Sequence, residues 1–259
     1  MNKTVLVTGA CINTGVDIVE KFASENYNVV FTGRDEEKVR IAKQKYQEKY
    51  KNVSFLGFAI DSLKNPTTVD EESVEKMFEA LDSKGVFVET LVLNAADQGL
   101  NMKIFENPLS DFLKVINTNV AWNYLLCETA AKRMIKNGGG NIVFVNSNTA
   151  YRAIPDRVAY VASKGGQLGM MRALALDLGK YNIRVNAVLP GMIKTDRWEK
   201  NPEFYKSVPS RFTPIGDVAV GSDIADAVYY FAACARNTTG AELVVDGGNT
   251  IQLYPIIEK

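Results

Sequence analysis

Tyr160-Val161-Ala162-Ser163-Lys164 sets a phenol and an ammonium four residues apart, so on a helix the two share one face and can act together. A phenol of reference pKa about 10 is a poor base at neutral pH, but a neighbouring ammonium favours the phenolate. Such a pair can exchange a proton with a substrate hydroxyl. The chain contains 0 His, which removes the commonest general base and the commonest transition-metal ligand together. Acid–base work therefore falls to Tyr, Lys, Asp, Glu or Cys. With 11 tyrosines and many lysines the spacing also arises by chance, and the surrounding sequence has to decide.

A second pattern lies near the start. Val5-Leu6-Val7 runs into Thr8-Gly9-Ala10-Cys11-Ile12-Asn13-Thr14-Gly15, followed by Val16, Val19, Phe22 and Ala23 at helical spacing. Glycine lets the backbone take positive φ and approach a ligand closely, and free N–H groups at a helix start attract a pyrophosphate. The turn suits a phosphate cradle; a tight strand-to-helix turn without a ligand has the same spacing.

These segments belong to a regular alternation. Strand-like runs occur at Thr4–Thr8, Asn28–Thr32, Val53–Ile60, Phe87–Leu93, Asn141–Asn146, Ile183–Val188 and Glu242–Val245, with helical windows at 15–26, 35–50, 71–83, 109–137, 159–180 and 221–235. Val5-Leu6-Val7, Leu91-Val92-Leu93 and Ile142-Val143-Phe144-Val145 are continuously apolar, as strands covered on both faces by helices are. The expectation is an α/β fold: a doubly wound parallel sheet of seven strands with helices on both faces. No linker, repeat or low-complexity tract interrupts the chain, so residues 1–259 read as one domain. The irregular stretches are 61–71 and 194–220.

In order and spacing the chain resembles the short-chain dehydrogenase/reductase family, a Rossmann-type fold, from about residue 3 to 250. The first turn resembles its Thr-Gly-x-x-x-Gly-x-Gly signature, with Asn13 at the middle glycine; Asn tolerates positive φ best among the other residues. Tyr160 and Lys164 match its catalytic pair, Ser147 stands thirteen residues before Tyr160 as in the family, and Asn119 matches its fourth catalytic position, although Trp122 stands where a glycine is usual. The resemblance implies that Ser147 holds a carbonyl oxygen and Tyr160 delivers the proton. Lys164 would lower the phenol pKa and grip the nicotinamide ribose, while Asn119 holds a water leading from Lys164 to solvent.

The same resemblance implies NADP(H). Gly9, Asn13, Thr14 and Gly15 would line the pyrophosphate. Gly33 stands where NAD-preferring relatives carry an acid, and Arg34 is placed to pair with a 2′-phosphate; a merely solvated arginine is the plainer alternative. Asp61 resembles the acid beside the adenine. Asn94, in Leu93-Asn94-Ala95-Ala96, matches a cofactor-lining stretch with substitutions. Pro190, Gly191, Ile193 and Thr195 resemble the segment packed on the nicotinamide carboxamide, and Val245-Asp246-Gly247-Gly248 matches the C-terminal signature.

Thirty basic and 30 acidic residues give a formal net charge of zero, which offers no drive toward nucleic acid or anionic membranes. No apolar run reaches the roughly 18 residues of a membrane span, and the start lacks a signal-peptide pattern, so cytoplasmic residence is expected. Cys11, Cys127 and Cys234 are too few and too scattered for a disulfide framework or a Cys-only zinc site, and no metal is expected. The predicted partner is a small ketone or secondary alcohol. Trp198, Phe204, Tyr205 and Phe212 in a lid at 194–220 would either cover a bulky apolar substrate, such as a steroid or bile acid, or anchor the lid. Two other readings stand. One is a 3-oxoacyl thioester reductase using Lys132, Arg133, Lys136 and Arg172 against an acidic carrier; the other is a catalytically idle NADP(H)-binding sensor. By family analogy the chain forms a homo-oligomer, a tetramer, through helices 109–137 and 159–180 and the last strand.

Overall fold

The computed structural model describes residues 2–195, 198, 203 and 211–255. Seven strands form one sheet, numbered here in chain order: β1 (Thr4–Val7), β2 (Asn28–Gly33), β3 (Phe55–Ala59), β6 (Thr90–Leu93), β7 (Gly140–Val145), β8 (Ile183–Pro190) and β9 (Glu242–Val245). Their order across the sheet is β3-β2-β1-β6-β7-β8-β9, and every pairing is parallel. The strand order reverses between β1 and β6, which opens a crevice outside their carboxyl ends.

The continuous apolar runs follow from burial on both faces. Val5, Val7, Val92 and Val143 point into one core with Ile18, Val19 and Phe22 of α1 (Thr14–Ser24) and with Ile224 and Val228 of α7 (Gly221–Tyr229). Leu6, Leu91, Ile142 and Phe144 point into the other core. There they meet Phe78 and Leu81 of α3 (Glu71–Ser83), Leu126 of α5 (Trp122–Lys136) and Leu168 and Met171 of α6 (Val158–Gly179). Each fully buried side chain of this size contributes about 1.5–3 kcal/mol. Helix starts are locally encoded: Asp35 caps α2 (Glu36–Lys49) by accepting from Lys38 N at 2.8 Å, and Asp70 caps α3 by accepting from Ser73 N at 3.3 Å.

Three features differ from the alternation read in the sequence. The stretch 61–71 contains a small antiparallel hairpin, β4 (Leu63–Asn65) with β5 (Thr68–Val69). The window 109–137 is α4 (Leu109–Ile116) joined to α5 through a wide π-helical turn, Asn117–Ala121. A similar wide turn, Tyr230–Cys234, ends α7.

Candidate active site

The candidate residues follow the carboxyl ends of β1, β6, β7 and β8, and α6, packed on the second core, carries Tyr160 and Lys164. The turn after β1 holds Gly9 at φ 66° and Asn13 at φ 49°, so Asn13 does adopt the conformation that the missing glycine would have taken. A Cβ on Gly9 would lie 2.9 Å from the Ala95 Cα, and one on Gly15 would lie 2.4 Å from the Gly9 carbonyl oxygen; neither position admits a side chain. Thr14 and Gly15 open α1, and no side chain caps that helix. Its first N–H groups are thus free of a side-chain acceptor, an arrangement that suits an anion.

Asn94, read as cofactor-lining, spends its amide on this turn: Nδ2 donates to the Thr8 carbonyl at 3.0 Å and the Gly9 carbonyl at 3.2 Å. Thr8 Oγ1 accepts from the N–H groups of Asn94 and Ala95, each at 3.0 Å. Asn94 therefore braces the turn from β6. Arg34 is exposed after β2 and forms no ion pair among the described residues. Gly33 is packed beneath it: a Cβ there would meet Cys11 Sγ at 2.5 Å and Val39 Cγ2 at 2.9 Å. Cys11 had no assigned role in the sequence reading, yet it closes this corner, with its thiol pKa raised by burial and by Asp35. Asp61 is exposed after β3, with Oδ1 accepting from Leu63 N at 3.4 Å.

Beyond β8, Pro190 ends the strand and Gly191 donates to the Val245 carbonyl at 3.0 Å. A Cβ on Gly191 would strike the Asp246 Cβ at 2.6 Å. Ile193 pairs with Ala219. Thr195 O accepts from Trp198 N at 2.8 Å, and the Trp198 indole N–H donates to the Ile193 carbonyl at 3.2 Å. Trp198 thus ties itself to the Ile193–Thr195 segment, while Phe204 and Tyr205 lie outside the described residues.

The chemistry-bearing groups meet where β7 ends against α6. Ser147 follows β7 and caps a short 3₁₀ turn, its Oγ accepting from Thr149 N at 3.2 Å. Its hydroxyl lies close enough to the Tyr160 phenol to act on that group's pKa. Burial raises the phenol pKa, with Ser147 and the Arg157 charge pulling it back. One turn along α6, Lys164 Nζ lies 5.7 Å from the Tyr160 ring centroid. This lysine is 2% exposed, and burial lowers its pKa to about 7. Nζ donates to the Val145 carbonyl at 3.0 Å and to Gln167 Oε1 at 3.2 Å.

Asn119 sits in the wide turn and is wholly buried. Its Oδ1 accepts from Asp97 N at 2.7 Å, and Nδ2 donates to the Asp97 carbonyl at 2.8 Å and to Ser163 Oγ at 2.9 Å. Its backbone carbonyl accepts from Gln167 Nε2 at 2.7 Å and from Asn123 Nδ2 at 2.9 Å. Two protein amides thus hold this carbonyl. Trp122, at the family's glycine position, is 2% exposed in the second core, and its indole N–H has no acceptor among the described residues. No group of potential metal-binding side chains occurs among the described residues, and no described helix is long and apolar enough to cross a membrane.

The sequence model of a family described as enoyl-(acyl carrier protein) reductase matches residues 9–250. A 3alpha-hydroxysteroid dehydrogenase of Mediterraneibacter gnavus is 32% identical over 95% of this chain and 96% of its own. A 3-oxoacyl-[acyl-carrier-protein] reductase of Chlamydia trachomatis is 31% identical over 96% of this chain and 97% of its own. Among solved structures, an ElxO variant with NADPH bound superposes with a TM-score of 0.87 at 29% identity, covering 97% of this chain and all of the other. L-sorbose reductase from Gluconobacter frateurii, complexed with NADPH and L-sorbose, gives 0.88 at 26% identity over 97% and 98% of the two chains. A parallel sheet with this strand order, a glycine turn at its switch point, a serine, tyrosine and lysine gathered beside it, and a whole-length family match lead to one assignment: the chain is an oxidoreductase of the short-chain dehydrogenase/reductase family.

Proposed function

We propose that this chain transfers a hydride between NADP(H) and a ketone or secondary alcohol, with Tyr160 as the proton-transfer group. The observation that carries the reading is the meeting of Ser147, Tyr160 and Lys164 at the crevice end of β7. Ser147 is a hydroxyl beside the phenol, able to donate to a substrate oxygen as charge develops on it. Burial keeps Tyr160 in its protonated form at neutral pH, so in carbonyl reduction the phenol gives its proton to the nascent alkoxide. In alcohol oxidation the phenolate has to form first, which the charged form of Lys164 favours.

The residues fit a dinucleotide. The bare Gly9–Gly15 turn and uncapped α1 would hold the pyrophosphate, Arg34 the 2′-phosphate, Asp61 the adenine end, and Pro190, Gly191, Ile193 and Thr195 the carboxamide side. When bound, the nicotinamide supplies or takes up the hydride. NADPH in the solved relatives supports the choice of cofactor.

Substrate size is the finer part. A bulky apolar ketone of the steroid or bile-acid kind is supported by the Mediterraneibacter relative. A 3-oxoacyl thioester is the second reading, favoured by the Chlamydia relative. Against a carrier-binding face, Lys132 pairs with Glu128 at 2.9 Å, Arg133 with Glu75 at 3.1 Å and Asp82 at 2.8 Å, and Arg172 with Glu242 at 2.6 Å. Those charges are already matched on the helix faces. The deciding experiment is Tyr160→Phe, assayed by NADPH absorbance over a panel of ketones. kcat is expected to fall by roughly 10² to 10⁴ with NADPH affinity nearly unchanged. A fully active Tyr160→Phe enzyme overturns the assignment.

A further inference from the structure

Among the described residues, Lys164 carries its charge into the interior without a carboxylate hydrogen-bonded to it. Its two protein acceptors, the Val145 carbonyl and Gln167 Oε1, are neutral. Gln167 is 1% exposed and touches three elements at once. Its Oε1 accepts from Lys164 on α6 and from Asn146 Nδ2 after β7 at 3.1 Å, and its Nε2 donates to the Asn119 carbonyl in the wide turn at 2.7 Å. Tyr160, Lys164 and Gln167 follow one another at spacings of four and three along α6, so the helix itself lines them up.

We propose that Gln167 is a positioning residue for proton transfer, an amide link that fixes the Lys164 ammonium and ties it to the Asn119 carbonyl. The proposal rests on the reading of Tyr160 and Lys164 given above. An ammonium has three donors; two are spent on Val145 and Gln167, which aims the third. A hydrogen bond to a buried charge favours the charged form and opposes desolvation. The other groups facing Lys164 have little charge to offer. Its own helix supplies the Tyr160 phenol; the β7 end supplies Val145, Asn146 and Ser147; the wide turn supplies Asn119. The Asp97 carboxylate, on the loop that binds Asn119, is paired with Lys114 at 3.4 Å. Gln167 is thus the adjustable acceptor of the site.

The substitution that isolates this role is Gln167→Leu, because its other partners keep a bond each. The Asn119 carbonyl retains Asn123 Nδ2 at 2.9 Å, and Asn146 Nδ2 retains the Lys164 carbonyl at 3.0 Å. Full-length protein labelled with carbon-13 at lysine Cε is titrated by NMR without cofactor or substrate, Lys164→Met identifying the resonance. Gln167→Leu should lower the Lys164 pKa by on the order of one unit or more, and Gln167→Glu should raise it. In the same variants the kcat–pH profile for alcohol oxidation should move, that of Gln167→Leu toward higher pH, as the ammonium that favours the phenolate is lost earlier. A glutamine that only fills space would move neither titration. An unchanged Lys164 pKa in Gln167→Leu overturns the proposal; should that variant not fold, a Lys164 pKa that fails to rise in Gln167→Glu does the same. Because the titration reads the free protein, it is independent of the Tyr160→Phe assay, which tests the catalytic reading itself.

Discussion

Cofactor preference is where the structure changes what a simple sequence swap would do. Replacing Arg34 by Ala removes charge-assisted hydrogen bonds to a 2′-phosphate, a class of contact worth about 1.5–3 kcal/mol. Arg34 is exposed, and screening trims the loss to about 1–2 kcal/mol. At 1.4 kcal/mol per factor of ten, the Kd for NADPH should rise about 5- to 30-fold while that for NADH stays fixed. Adding an acid for the ribose by Gly33→Asp is not free, because its Cβ would sit 2.5 Å from Cys11 Sγ and 2.9 Å from Val39 Cγ2. Overpacking of this kind costs about 1–3 kcal/mol, or roughly 2–12 °C in Tm for a chain of this length. Cys11→Ala removes the nearer clash, so Cys11→Ala/Gly33→Asp/Arg34→Ala should regain most of that Tm and bind NADH more tightly than NADPH. Nucleotide fluorescence titration and thermal melts of the same variants supply both numbers. If Arg34→Ala weakens the two nucleotides equally, or the parent chain already prefers NADH, the reasoning about Arg34 fails.

Lys164 should cost the fold stability for the sake of the site. Its folded pKa of about 7 lies below the usual lysine value, so the unfolded chain binds the extra proton between pH 7 and about 10. The penalty is therefore full below pH 7 and fades as pH rises. Lys164→Met should be more stable to unfolding than the parent at pH 6 by on the order of a few kcal/mol, with the gap closing by about pH 10; a gap that widens with pH would refute this. Trp198→Phe keeps a ring but loses the indole bond to the Ile193 carbonyl. Because that bond holds the segment proposed for the carboxamide side, KM for NADPH should rise alike with small and bulky ketones, and an effect confined to bulky ones would favour the covering role. Leu176 on α6 is 84% exposed and Tyr124 on α5 is 53% exposed, apolar area that fits a subunit contact. Light scattering should give a multiple of 28.6 kDa, the proposed tetramer, and a monomer at micromolar concentration would remove that proposal.

The sheet was legible because each central strand buries both faces, which leaves an apolar run that no other element of that length produces. The hairpin at Leu63–Asn65 and Thr68–Val69 was not, since five residues, three of them polar, carry no pattern. The wide turn within 109–137 was hidden because apolar spacing on either side remains helical, and one extra residue barely disturbs it. Tyr160, Lys164, Ser147 and the Gly9–Gly15 turn were visible through fixed spacings. Gln167 and Cys11 were not: a glutamine inside a helix and a cysteine inside a turn have no signature, and only the fold brings them against Lys164 and Gly33. Asn94 was read as cofactor-lining, and the bracing task of its amide was not legible, because it depends on carbonyls 85 and 86 residues away.

The wide turn at Asn117–Ala121 has a hereditary side. It amounts to a single inserted residue in an otherwise continuous helix. Each residue turns an α-helix by about 100°, since 3.6 make a full turn. The wide turn absorbs that extra rotation, so losing one codon anywhere in 117–121 would let the segment close into ordinary α-helix with Trp122, Leu126, Ala130 and Met134 still facing the second core. What would be lost is the opening itself: the Asn119 carbonyl, now held by the Gln167 and Asn123 side chains, would return to an ordinary helical N–H. A one-residue deletion in this helix would consequently spare the core and strike only at the site.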